Sequence, residues 1–405
     1  MPSARTVTLG AVLTALVALG PISTDMYLPS LPALRRAFAS DVAMVQLTLS
    51  VFIAGFGVAQ LIYGPLSDRF GRRPVLLAGV ALFLLASVAC ALAQSVPQLV
   101  LARLFQAVGA CAGPVLGRAV VRDLYGRERA ARALAYIGTA MGLVPAAAPI
   151  LGGYLALWFG WRATFVFLAG YGVVVLALVW LVLRETNEWR EPEALRPRRL
   201  LGNYRRLLGD GRYIGYVLTV AFSYATLFAF LSGGAFVLID FLGVRPERFG
   251  LFFAVIVSGY MAGTLFAGRL TLRLGLDRMI AWASLAGSVI CLAMAALAWS
   301  GVDSVAAVIA PMTLYMAAMG IILPNGLAGA VGPYPRMAGA ASAMLGFVQM
   351  AMASLAGVAV GLFDDGTQRA MITTMAVTAF AAFAAFHLMV RRWRAEPRAA
   401  DAKQI

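Results

Sequence analysis

Apolar residues arrive in long blocks. Residues 7–30, 43–63, 74–93, 97–120, 133–156, 162–183, 213–238, 249–268, 279–299, 304–327, 338–362 and 370–390 are runs in which charge is nearly absent. Each has roughly the 20 residues that an α-helix needs to cross the hydrocarbon core of a bilayer. The pattern predicts an all-α membrane protein with twelve transmembrane helices in two six-helix halves, residues 1–184 and 213–405. The first run lacks a small-residue cleavage pattern and further spans follow at once, so it reads as a span and not as a signal peptide. Between the halves lies the one sizeable linker, 185–212. There Leu200, Leu201, Tyr204, Leu207 and Leu208 recur at helical spacing while Arg198, Arg199, Arg205 and Arg206 take other positions. That suits a helix lying flat in the headgroup layer, and a solvated basic linker fits the same residues.

The halves carry copies of one loop. Gly64-Pro65-Leu66-Ser67-Asp68-Arg69-Phe70-Gly71-Arg72-Arg73-Pro74 follows the second run, and Gly268-Arg269-Leu270-Thr271-Leu272-Arg273-Leu274-Gly275 follows the eighth. In register, Gly64, Leu66, Arg69 and Gly71 fall on Gly268, Leu270, Arg273 and Gly275, while Asp68 meets Leu272. The second copy keeps the glycines and loses the acid.

Composition places these blocks in a membrane. Hydrophobic residues make up 61% and charged residues 13% of the 405, with a mean hydropathy of +0.85, whereas soluble domains carry about a quarter charged residues. A net charge of +15 would suggest nucleic acid in a soluble protein. Here the basic residues sit in short segments between spans, so the expected partner is the lipid bilayer and not nucleic acid. Counting both termini and the loops after even-numbered spans as one side gathers most of the 33 Lys and Arg residues. Only Arg35, Arg36, Arg162, Arg245, Arg248 and Arg369 fall on the other side, and Arg103 and Arg118 lie within span four. The rule that positive loops stay inside then predicts cytoplasmic termini. Cys90, Cys111 and Cys291 all lie within apolar spans and read as small core residues. His387, the sole histidine, stands near the end of the last span without a second metal-type residue, so neither a metal nor another cofactor is expected.

Charges inside spans cost about 2.5 to 3.5 kcal/mol each on insertion scales and need a reason. Asp25 lies near the far end of span one and Arg103 near the start of the oppositely directed span four. At 1.5 Å per residue both come out roughly 7 to 9 Å from the same boundary, a depth at which they can pair. Gln106 shares a helix face with Arg103. A carboxylate raised by burial and lowered by a nearby guanidinium is switchable, as a proton carrier must be. Arg118, close to Arg122 and Asp123, reads as a structural ion-pair residue. Catalytic sets such as His-Glu-x-x-His, a nucleophile elbow or a phosphate loop are not found, so an enzyme is not expected.

The loop at Gly64 resembles the signature loop of the major facilitator superfamily, whose halves are parallel repeats. The resemblance implies a gating role for Gly64, Asp68, Arg69, Gly71, Arg72 and Arg73, with the loop locked against the start of span eleven; an anion such as Asp68 is favoured there at a helix N-terminus. The Arg103, Gln106 and Gly109 series is similar to the family's second motif, whose arginine is implicated in proton transfer in proton-coupled members. In span five, Pro145, Pro149, Gly152 and Gly153 resemble the motif of the superfamily's antiporters, with Ala148 where a glycine is usual, and prolines and glycines there suit a helix that bends and packs closely. Asp25-Met26-Tyr27-Leu28-Pro29, Gln60 to Pro65, Arg118 to Tyr125 and Phe236 to Asp240 look like the bicyclomycin and chloramphenicol resistance branch of drug:proton antiporters. That likeness implies a protein of the bacterial inner membrane that exports small amphipathic drugs in exchange for protons by alternating access; a monomer is expected. An exporter of one metabolite would share the fold. The superfamily places substrate contacts on the inner spans, which makes Phe222, Tyr224, Phe228, Met312, Tyr315, Met316 and Gln349 candidates beside Gln106. Asp240 reads as a gate or surface residue.

Overall fold

A computed structural model describes residues 4–187, 197–334 and 337–390, nearly all of them helical. The helices are α1 (Ala4–Asp25), α2 (Leu31–Ala37), α3 (Val42–Phe70), α4 (Arg72–Leu92), α5 (Val96–Phe159), α6 (Arg162–Val182), α7 (Pro197–Leu208), α8 (Gly211–Ala235), α9 (Pro246–Leu274), α10 (Leu276–Trp299), α11 (Val305–Val331), α12 (Ala338–Leu362) and α13 (Arg369–Ala385). Wider π-type turns, Phe236–Phe241 and Phe386–Val390, extend α8 and α13. The choice of helix is forced by solvent, since in lipid every backbone N–H and C=O must find its partner within the chain. Arg190, Arg196, Arg336 and the basic residues from Arg391 to Lys403 lie outside the described residues.

Eleven helical stretches among the described residues are long and apolar enough to cross a bilayer, and Val144–Phe159 is a shorter apolar helix. This last stretch is the second limb of α5, which carries the fourth and fifth expected spans in one helical run. The run doubles back. Arg103 donates to the Ser23 carbonyl and Gly152 packs on Met26, yet in a straight helix those two α5 residues would stand about 70 Å apart. Helix starts are marked by polar caps: Ser95 accepts from the Gln98 N–H, Asp210 from Arg212 and Tyr213, and Ser304 from Ala307, each satisfying amides that have no partner inside the helix.

The first expected span needs a correction. It is not one helix over 7–30: α1 ends at Asp25, and the chain passes through a turn and a 3₁₀ stretch, Leu28–Ser30, into α2. Pro29 and Pro32 explain the break, because each lacks an N–H and restricts the residue before it. The internal repeat, by contrast, has matching geometry. Gly71 between α3 and α4 has φ 103° and ψ 156°, and Gly275 between α9 and α10 has φ 80° and ψ 149°. These are glycine-favouring conformations at the corresponding corner of each copy.

Helices α1 to α6 pack chiefly among themselves, as do α8 to α13, and two seams join the sets: α3 against α12, and α5 against α9. The linker helix α7 takes the helical alternative, with Leu207 buried among Tyr213, Tyr216 and their neighbours and Tyr204 partly buried. It is therefore tied to α8 and α12 as well as basic.

Candidate functional site

A cavity of about 430 Å³ lies between the two sets. Asp25 and Thr24 of α1, Phe52, Phe56 and Gln60 of α3, and Arg118 and Pro145 of α5 line it from one side. Tyr224 and Phe228 of α8, Phe253 and Tyr260 of α9, Met316 and Met319 of α11, and Met350 of α12 line it from the other. The wall is aromatic and Met-rich, a surface that adapts to differently shaped apolar ligands. Among its described lining residues Asp25 is the one acid and Arg118 the one base.

Asp25 stands at the C-terminal end of α1, buried, with Thr24 Oγ1 donating to its carboxylate at 2.9 Å. The expected partner is elsewhere. Arg103, fully buried, donates through Nη1 to the Ser23 carbonyl (3.1 Å) and to Gln106 Oε1 (2.6 Å). Its guanidinium carbon lies 4.2 Å from the Phe52 ring centroid and 4.7 Å from that of Tyr27. Its Nε and Nη2 have no hydrogen-bond acceptor and rest among these rings. Equal depth thus brings Arg103 to the backbone of the helix that carries Asp25, and not to the carboxylate. Gln106 Nε2 donates onward to Ser87 of α4 at 2.8 Å, so Gln106 braces the packing of α4 on α5 outside the cavity.

The other expected contacts divide. Tyr224, Phe228 and Met316 line the cavity, whereas Phe222, Met312, Tyr315 and Gln349 are not among its lining residues. Tyr315 is buried, and its hydroxyl donates to the Ser223 carbonyl at 2.7 Å, joining α11 to α8. The wall also takes in Gln60, Phe253, Tyr260, Met319 and Met350, none of them a substrate-contact candidate from the sequence. Arg118 joins them: its sequence neighbours suggest an ion-pair residue, and it has no ion pair among the described residues.

One end of the cavity is shut. Arg36 Nη1 donates to Asp240 at 3.0 Å and Arg35 stands 3.7 Å from the same carboxylate. Nearby, Gln46 Nε2 donates to the Ser232 carbonyl and Ser354 Oγ to the Ser50 carbonyl. Gly152 and Gly153 belong to this closure: a Cβ on the first would collide with the Met26 carbonyl, and one on the second would crowd Pro246 of α9. Pro149, one turn earlier, is buried.

The opposite, arginine-rich end opens into a vestibule of about 500 Å³ whose walls include Gly64 and Asp68 of α3 and Ala338 to Ala340 of α12. Gln60 and Arg118 line both spaces and mark the neck between them. Asp68, expected against the start of α12, shares the vestibule wall with it but is held elsewhere. It accepts from Arg72 Nη1 within its own set (2.5 Å), and Arg72 also donates to Asp123 and to Ser67 Oγ. Arg69 lies over the Phe70 ring, and Arg73 donates to the Trp180 carbonyl.

The loop is held from behind by a residue outside every sequence motif. Glu185, just past α6, accepts from the backbone amides of Arg72 and Arg73 at 2.9 and 3.2 Å and from those of Thr186 and Asn187. Partial burial pushes its carboxyl up, but these four N–H donors outweigh it and hold the group below the usual carboxylate range. Asn187 Nδ2 donates to the carbonyls of Ser67 and Asp68. An acid placed directly after a span and among arginines was the available signal.

Residues 13–358 match the family model described as Major Facilitator Superfamily. The chain belongs to this superfamily. It is therefore a membrane transporter of small molecules and not an enzyme. It is 30% identical to a "Bicyclomycin resistance protein homolog" of Haemophilus influenzae, over 92% of this chain and 94% of that one. It is 33% identical to a "Chloramphenicol resistance protein" of Pseudomonas aeruginosa, over 80% and 77% respectively. Among solved structures, that of a D-xylose-proton symporter superposes with a TM-score of 0.77 at 16% identity, covering 96% of this chain and 98% of that one, which places the fold.

Proposed function

We propose that this protein exports small amphipathic drugs, phenicols and bicyclomycin among them, across the bacterial inner membrane in exchange for protons. One observation carries the reading: a cavity walled by both helix sets, shut from one side and reached from the other, holds one buried carboxylate among its described lining residues. With its arginine-rich end facing the cytoplasm and both termini there, the structure is an inward-facing stage. Drug enters through the vestibule and settles against Tyr224, Phe228, Met316 and Met350. An ionised carboxylate in so apolar a space needs a partner or a proton. Asp25 gives its proton to the cytoplasm as drug enters. The two halves, 1–184 and 213–405, then rock about the α3/α12 and α5/α9 seams. Facing out, Asp25 takes a periplasmic proton and the drug leaves. Arg103 acts as a positioning residue in this cycle, since it holds the Ser23 carbonyl and so the end of α1 on which Asp25 sits. The Asp68 carboxylate, free of α12 in this stage, moves to the start of α12 when the vestibule closes.

The reading is tested by expressing the protein in a host stripped of its own efflux pumps. Tolerance to chloramphenicol or bicyclomycin is expected to rise severalfold and to collapse when the proton gradient is dissipated. Unchanged tolerance across a broad antibiotic panel, with export of a single metabolite instead, would overturn it.

A further inference from the structure

Arg118 is a charged side chain with no part in the proton cycle. It lies within the membrane part of α5, its side chain open to the neck that joins vestibule and cavity. Intramembrane cations are normally paired, yet among the described residues Arg118 has no ion pair or hydrogen bond. The charged neighbour that acts on it is Arg122, of the same sign. Two nearby described acids are engaged elsewhere: Asp68 with Arg72, and Asp123 with Arg72 and Thr186. Gln60, which shares the neck, is neutral.

We propose that Arg118 is a substrate-selecting residue of the transport cavity, and that it binds the oxyanion or strongly polarised oxygen pair of an aryl substrate. The inference deepens the drug-export reading and rests on it. A guanidinium presents a planar fork of donors that matches two oxygens on one group. The ring of the substrate then falls among the aromatic and Met side chains beyond the neck. Scale agrees with this: Arg118 and Asp25 line one cavity of about 430 Å³, a volume that admits an aryl compound of one or two rings with an oxygen-rich end. Its oxygens meet Arg118 first on the way in, and its far end reaches the proton-carrying carboxylate.

The test uses two probes that share a ring system: 1-anilinonaphthalene-8-sulfonate and the neutral N-phenyl-1-naphthylamine. Binding to the full chain in nanodiscs is measured by equilibrium dialysis, with empty nanodiscs subtracted. The sulfonate is expected to bind at least tenfold more weakly to Arg118→Gln than to the parent protein. The neutral probe is expected to change less than twofold, and Arg118→Lys to recover part of the loss. Equal losses for both probes, or none for either, would overturn the proposal, as would a parent protein that binds the neutral probe and not the sulfonate; that last result leaves the cavity reading standing. A parent protein that binds neither probe overturns both.

Discussion

Asp240→Asn is expected to loosen the shut end of the cavity. The carboxylate is the shared partner of Arg35 and Arg36 on α2, and it is carried by the π-type turn after α8, so the contact spans the two helix sets. The arginine side chains are 46% and 64% exposed and that of Asp240 is 26% exposed, which puts each pair in the class worth about 0.2 to 1 kcal/mol. Arg35 keeps some hold from Asp364 in the same cleft, so the two pairs together give about 1 kcal/mol. That is roughly a fivefold shift toward the state open at this end. Cys90, Cys111 and Cys291 are buried and unpaired, so a cysteine introduced at Leu231, in the cavity wall, reports opening. A membrane-impermeant thiol reagent added from the Asp240 side is expected to label it about fivefold faster in the Asp240→Asn background at low salt. In 1 M salt the parent protein should approach the variant, because exposed pairs are screened there. Equal labelling rates at low salt, or an acceleration that persists unchanged in 1 M salt, would refute the latch.

Two further substitutions probe the supports of the site. Glu185→Gln removes the charged acceptor for the amides of Arg72 and Arg73 and is expected to raise hydrogen exchange at the start of α4. Because the Glu185 carboxyl is held below its usual range, the parent protein keeps this protection above the ordinary carboxylate range and loses it as pH falls through the lowered value; the variant should show no such acid-side loss. Arg103→Met leaves the Ser23 carbonyl without its donor and Gln106 Oε1 with only the weak Cys90 S–H, and is expected to cost about 1 to 3 kcal/mol in detergent unfolding. Arg103→Lys keeps the charge and a donor but loses the planar contact with Phe52, so it should retain more stability than Arg103→Met.

Much of the architecture was legible because burial in lipid writes itself into the chain as apolar blocks of fixed length, and because the paired corners at Gly71 and Gly275 must be glycines. Depth could be read too: Asp25 and Arg103 do lie at one level. Hydropathy does not carry azimuth, since lipid-facing and cavity-facing positions are alike apolar. Arg103 turns toward the α1 backbone and its rings, and Asp25 toward the cavity. At 100° per residue Tyr224 and Phe228 share a face while Phe222 lies well round from Phe228, and Tyr315 and Gln349 each stand one residue from a lining methionine, Met316 or Met350. The break after Asp25 was signalled by Pro29 and Pro32. That Arg118 has no ion pair among the described residues was not, because Asp68 and Asp123 are claimed by Arg72, and only the folded loop reveals that claim.

The central claim is that Asp25 carries the proton that drives drug uphill. Purified protein in liposomes with an acidic lumen, supplied outside with radiolabelled chloramphenicol, tests it most directly. The parent protein is expected to concentrate the drug in the lumen, with accumulation collapsing when the pH gradient is dissipated, while Asp25→Asn inserts normally and only equilibrates the drug across the membrane. Accumulation by Asp25→Asn against the drug gradient, with the pH profile of the parent protein, would contradict the account.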